Sequence, residues 1–233
     1  MVKLLILIMW LISTPCHINS ECFMGYRLNI LGYRGEEWNV KKDRTRIICL
    51  GDSVTQGMCS FTSWPEYLQK FMGDGFEILN AGVGGNNSSQ CLARLKGHIL
   101  NYSPNVIILS IGTNDIDQTV AIDKFKDNLQ EIIDICRENS IKIYLTTVSQ
   151  AALTKGIYIE YLPDYENDVR KYQCKIKTYN KAILKIGEKN DIAVIRIDSV
   201  FSDIEVPIFA DRVHLNDTGS ALFARTVLSE INR

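Results

Sequence analysis

Short runs of almost unbroken apolar residues alternate along this chain with longer stretches in which apolar positions recur every three or four residues. Ile47 to Leu50, Phe76 to Leu79, Val106 to Ile111, Ile141 to Val148 and Ile192 to Ile197 are of the first kind. Strands that are apolar on both faces belong to sheets covered on both sides, and such sheets are mostly parallel. The second kind is clearest where Phe125, Leu129, Ile132, Ile133 and Cys136 share one face of a helix. Two further helices are predicted, from about Asp164 to Lys189 and from Thr218 to Ile231. Strand and helix in regular alternation imply an α/β fold: a three-layer α/β/α sandwich around a central, mostly parallel five-stranded sheet.

That architecture places functional loops at the carboxyl ends of the strands. The polar and glycine-rich segments fall where this rule puts them. Ser53 follows the first strand, Gly82 to Gly85 the second, and Gly112 to Asp115 the third. Asp211 and His214 lie beyond the fifth, ahead of the last helix. The same edge of the sheet therefore collects every one of them.

The first twenty residues break the pattern. Lys3 precedes the apolar run Leu4 to Ile12, and small or polar residues follow to Ser20. This is the layout of a secretory signal. The run is short for a full membrane span, which needs about 20 apolar residues. Export to the outside or the periplasm is expected, with an uncleaved N-terminal anchor near a membrane as the alternative; Pro15 directly before Cys16 suits a bacterial lipoprotein site poorly. The chain thus divides into a signal over 1–20, a leader over 21–45 and one domain over 46–233. With 23% charged residues and a formal net charge of -1, nothing marks it as a nucleic-acid binder. Of its seven cysteines, Cys49 and Cys136 read as buried thiols; a bridge between Cys59 and Cys91 is open, though no spacing demands it.

Candidate chemistry starts from the base. A serine hydroxyl is a weak nucleophile and needs a neighbour to take its proton. Histidine is the usual choice at neutral pH, and the chain has three. His17 lies in the signal, and His98 reads as an interfacial residue of a helix with Leu92, Leu95 and Ile99. His214 remains, three residues after Asp211, a separation that lets a carboxylate meet one ring nitrogen. Acyl transfer also needs donors for a developing oxyanion. Asn80 to Asn86 can offer backbone amides and Asn114 a neutral side-chain amide, although each segment alone reads as an ordinary strand-to-helix turn.

Taken together these segments resemble the SGNH hydrolase superfamily, also called GDSL-type esterases and lipases. Gly51-Asp52-Ser53 with Gly57 is similar to its first block, Asn80 to Asn86 to its second, and Gly112-Thr113-Asn114-Asp115 to its third. Asp211 and His214, followed by Leu215, Asn216 and Gly219, match its last. Leu92-Ala93-Arg94-Leu95 is similar to lysophospholipase and thioesterase members. The resemblance runs from about Arg46 to the C-terminus. It implies the flavodoxin-like fold of that superfamily and hydrolysis of acyl or acetyl esters of lipids or carbohydrates. Ser53 would be the nucleophile, His214 the base and Asp211 its orienting partner. The Ser53 and Gly85 amides with the Asn114 side chain would form the oxyanion hole. No metal and no organic cofactor is expected, and the partner is a small-molecule, glycan or lipid ester, met by a monomer.

Rivals of other classes are weaker. Gly82-Val83-Gly84-Gly85 would place the third glycine of a dinucleotide loop at Asn87, so that fingerprint fails. A metal hydrolase lacks its histidine cluster. An acyltransferase that hands the acyl group to a sugar hydroxyl keeps the same residues, and a non-catalytic carbohydrate-binding module keeps the fold. Ala151 to Cys174, with Tyr158, Tyr161, Tyr165 and Tyr172, is either a lid or one wall of the acyl pocket, or a surface excursion leading into the helix near Tyr179-Asn180.

Overall fold

The computed structural model describes residues 38, 40–41, 43–149, 165–204, 206–211 and 213–232. The proposed signal, most of the leader and the tyrosines at 158 and 161 lie outside the described residues.

Five strands form one all-parallel sheet: β1 (Thr45–Gly51), β2 (Phe76–Gly82), β3 (Val106–Ser110), β4 (Lys142–Thr146) and β5 (Val194–Ile195), in the order β2-β1-β3-β4-β5. Eight helices accompany them among the described residues. They are α1 (Ser53–Gln56), α2 (Trp64–Met72), α3 (Ser88–Gly97), α4 (Thr113–Asp117), α5 (Ile122–Glu138), α6 (Tyr165–Asn190), α7 (Ile197–Ser202) and α8 (Asp217–Ile231).

Alternate residues of a strand face opposite sides, and the core divides accordingly. Ile48, Leu50, Ile107, Leu109, Ile143 and Leu145 pack with buried residues of α3, α5 and α6. Ile47, Cys49, Ile108 and Tyr144 pack on the other face with Trp64, Leu68, Phe223 and Val227 of α2 and α8. The expected sandwich is present. Its chain order reverses direction at the β1/β3 pair, and ligands of such sheets gather at that switch point, outside the strand ends.

One local detail differs from the sequence reading. The α3 helix ends at Gly97, so His98 caps it instead of riding on it, and a 3-10 turn over Ile99–Tyr102 follows. The helix expected from about Asp164 is present as α6, so Tyr172 and Cys174, at the end of the segment read as a pocket wall or surface excursion, are helical. Tyr172 packs against the core.

Candidate active site

The strand register brings the loops level. Gly51 pairs with Gly82 on one side and with Ser110 on the other, so three loops leave the sheet side by side. The Asp52 side chain accepts from the Val54 N–H at 2.9 Å and caps α1, which Gly57 ends in a left-handed turn. Ser53 is therefore the first residue of a helix, where no preceding turn supplies an acceptor for its N–H. The helix lies against the end of β2: a Cβ on Gly82 would come within 2.1 Å of the Gln56 backbone nitrogen. Glycine permits that approach.

Ser53, His214 and Asp211 form one hydrogen-bonded chain. His214 Nε2 lies 2.9 Å from Ser53 Oγ, and His214 Nδ1 lies 2.7 Å from Asp211 Oδ2. A carboxylate only accepts, so the proton sits on Nδ1 and leaves Nε2 to accept from the serine. The other carboxylate oxygen of Asp211 takes the backbone N–H groups of Val213 and His214, at 2.8 and 2.7 Å. Burial pushes this carboxyl upward, but the bonds from His214 and Val213 outweigh it and hold Asp211 below the usual carboxylate range. The segment after His214 is tied to the Ser53 side of the molecule as well, because Thr62 N–H donates to Asp217 at 2.9 Å.

Asn114 joins the first and second loops. Its Nδ2 donates to the Asn86 carbonyl at 3.0 Å and reaches Asp52 Oδ2 at 3.4 Å, so it touches the neighbours of both Gly85 and Ser53. Gly85 has φ +79, a conformation most side chains avoid. Its carbonyl accepts from Gln118 Nε2 at 2.8 Å, while the N–H of Gly84 donates to Gln56 Oε1 at 2.8 Å. Two glutamines thereby hold the loop. Behind it, the buried Asp115 accepts from the N–H and hydroxyl of Ser88 at the start of α3, and Asn128 donates to the same hydroxyl at 2.8 Å. Burial lifts Asp115 above its ordinary value and lifts Asp52 to about 6; the Val54 bond and the His214 charge oppose the latter shift.

All five residues selected from the sequence thus lie at one edge, three in direct contact and the other two linked through Asn86 and Asp52. Sequence reasoning assigned nothing to Gln56, Gln118 and Asp115. The first and last stand inside the matched blocks and were readable as block members without a role. Gln118 carries no signal in sequence. The Cys59–Cys91 bridge is not formed: Cys91 is a buried free thiol and Cys59 is disulfide-bonded. Cys49 and Cys136 are buried free thiols, as read.

Among the described residues, Cys59, Asp211 and His214 are the one set of side chains close enough to share a metal ion. The Cys59 sulfur lies 3.9 Å from Asp211 but is committed to a disulfide, so it offers neither a thiolate ligand nor an S–H donor. The carboxylate and the imidazole are committed to each other. The set fits a metal poorly.

The model of the GDSL-like lipase/acylhydrolase family matches residues 49–222. The chain belongs to that family. This GDSL-like chain is 27% identical over 114 residues to YqeF of Bacillus subtilis, an uncharacterized lipoprotein, across 43% of the chain and 47% of the relative. It is 27% identical over 119 residues to the esterase TesA of Pseudomonas aeruginosa, across 49% of the chain and 59% of the relative. The matches therefore span about half the length of these relatives. A lipase/acylhydrolase from Enterococcus faecalis superposes on the GDSL-like chain with a TM-score of 0.64 at 22% identity, covering 80% of this chain and 94% of that one. The likeness shows a shared fold.

Proposed function

We propose that this chain hydrolyses carboxylic esters through a Ser-His-Asp triad and an acyl-enzyme intermediate. The observation that carries the reading is the hydrogen-bonded chain Ser53–His214–Asp211, set beside Asn114 and the Gly85 loop. Membership of a lipase/acylhydrolase family and the esterase name of a relative support it.

In this mechanism Ser53 Oγ bonds to the ester carbonyl carbon as its proton passes to His214 Nε2. The carbonyl π pair moves to oxygen, and that oxyanion meets the Ser53 and Gly85 N–H groups and the second Asn114 proton, the one held only at 3.4 Å by Asp52. Asp211 stabilises the imidazolium in place. The tetrahedral centre collapses, the C–O bond to the alcohol breaks, and His214 protonates the leaving oxygen. Water then attacks the acyl-Ser53 carbonyl, gives its proton to His214 and releases the acid, and the proton returns to Ser53. Neither metal nor organic cofactor takes part in this scheme.

Three further points belong to the same reading. The hydrolase domain occupies 46–233, preceded by an export signal and a leader. The protein works outside the cytoplasm or in the envelope, which the Cys59 disulfide and the lipoprotein name of a relative support. No helix among the described residues is long and apolar enough to cross a membrane. The substrate is a lipid or glycan ester.

The decisive experiment combines a chromogenic short-acyl ester with a fluorophosphonate probe. Wild-type protein is expected to turn over the ester and to be labelled at Ser53, and Ser53→Ala to lose both. Absence of turnover and of label in folded wild type overturns the reading. A sugar acceptor in the same assay separates transfer from hydrolysis by the appearance of acylated sugar.

A further inference from the structure

One side chain outside the reacting groups touches most of what holds them. Arg94 projects from α3 toward the carboxyl ends of β1 and β2. Its Nη2 donates to the Gly51 carbonyl at 3.0 Å and its Nη1 to the Ala81 carbonyl at 2.8 Å. Its Nε donates to Asn86 Oδ1 at 2.8 Å. Gly51 stands two residues before Ser53, Ala81 four before Gly85, and Asn86 directly after Gly85. The carbonyl of Asn86 in turn accepts from Asn114 at 3.0 Å. One planar group thus spans the strand that delivers the nucleophile, the strand that delivers the amide loop, and the loop itself.

Guanidinium donors are fixed in one plane, so three acceptors held by one guanidinium are held at fixed separations from one another. We propose that Arg94 is a positioning residue of the active site. It sets the distance from Ser53 to the Gly85 and Asn114 donors by tying the ends of β1 and β2 to Asn86. The inference rests on the ester-hydrolase reading and deepens it. A purely structural staple between helix and sheet would change how much protein folds. A positioning residue changes the rate of each folded molecule, since oxyanion donors act through placement and a misplacement near 1 Å costs about 10²-fold.

Two variants test it. Arg94→Lys keeps the charge but replaces the fork by one point donor. Asn86→Ala leaves the two strand carbonyls bound and cuts only the link to the loop. Turnover of the short-acyl ester is divided by the amount of Ser53 that the fluorophosphonate labels at completion, which counts folded sites. For Arg94→Lys, kcat per labelled site is expected to fall 10- to 100-fold with KM nearly unchanged, the pattern of an interaction realised in the transition state. Asn86→Ala is expected to fall as well, and the double variant to fall no further than Arg94→Lys, because both cut one linkage. Amide exchange over residues 83–88 should quicken in both single variants while β1 and β3 stay protected.

Unchanged kcat per site in either single variant overturns the proposal. So does a loss explained wholly by fewer labelled sites, or a double variant whose losses multiply. If wild type shows neither turnover nor label, the hydrolase reading fails instead. The exchange of residues 83–88 then decides Arg94 alone: quickened exchange in Arg94→Lys keeps its hold on the loop, and unaltered exchange refutes it.

Discussion

Asn114 and Asp52 face each other across 3.4 Å, and the site asks different things of them. On the proposed mechanism Asn114→Ala takes away one oxyanion donor, and kcat is expected to drop about 10²- to 10³-fold with a smaller change in KM. Steady-state kinetics on the short-acyl ester measures it. Asp52 affects stability through its protonation. Burial raises it to about 6 from 3.8, so between those values the folded state holds a proton that the unfolded state has released. More protons bound in the folded state means stability falls as pH rises through that window, by about 3 kcal/mol for a shift of this size. Asp52→Asn removes the effect, so the Tm of the variant relative to wild type is expected to climb between pH 4 and 7. A pH series of thermal melts for both proteins reads it directly. Asp211 has the opposite sign: its lowered pKa contributes stability that is present above the ordinary carboxylate value and lost as pH falls through the folded one. The two titrations therefore occupy different windows. At this scale Ser53, Asp211 and His214 can be picked out from residue types and blocks. The side chains that pin them, Gln56, Gln118 and Asp115, cannot, because their acceptors and donors come from loops far off in sequence.

Among the elements, α1 has four residues and depends on its surroundings for its place. Its hold is the close contact with the end of β2, and Gly82→Ala would drive a methyl into the Gln56 backbone. Neither partner is a flexible tip, so the helix must move. The expected result is loss of fluorophosphonate labelling at Ser53 together with a lowered Tm, in contrast to Ser53→Ala, which loses the label and keeps the Tm. Labelling and melting of the two variants side by side checks the claim. The strands β1 to β4 were legible because each is apolar on both faces. The fifth was overread, since Ile192 to Ile197 suggests a full strand but only Val194–Ile195 pairs, at the sheet's edge, before Ile197 opens α7. The α2 helix went unread despite a readable start, the capping pair Ser63 and Glu66 around Pro65. Leu92, Leu95 and Ile99 keep the helical spacing across His98 even though the backbone tightens between them, so periodicity alone misses the end of α3.

For the whole molecule, the parallel sheet explains why four separated segments could be assigned to one site before any coordinates: all strands point the same way, so their following loops meet. What the pattern leaves open is the acyl group, since the length and chemistry of a substrate are set by side chains around the edge and not by the alternation that builds it. The contact between Ser53 and His214 joins positions 161 residues apart, and α2 packs on α8 from the far end of the chain. Ser53 and His214 consequently belong to different halves of the polypeptide. A chain divided between β4 and α6 would yield one piece carrying Ser53, Gly85 and Asn114 and another carrying Asp211 and His214. On the proposed ester-hydrolase mechanism each piece would be catalytically mute, and ester cleavage would appear only as the two found each other, making the molecule a natural starting point for a two-part sensor of proximity.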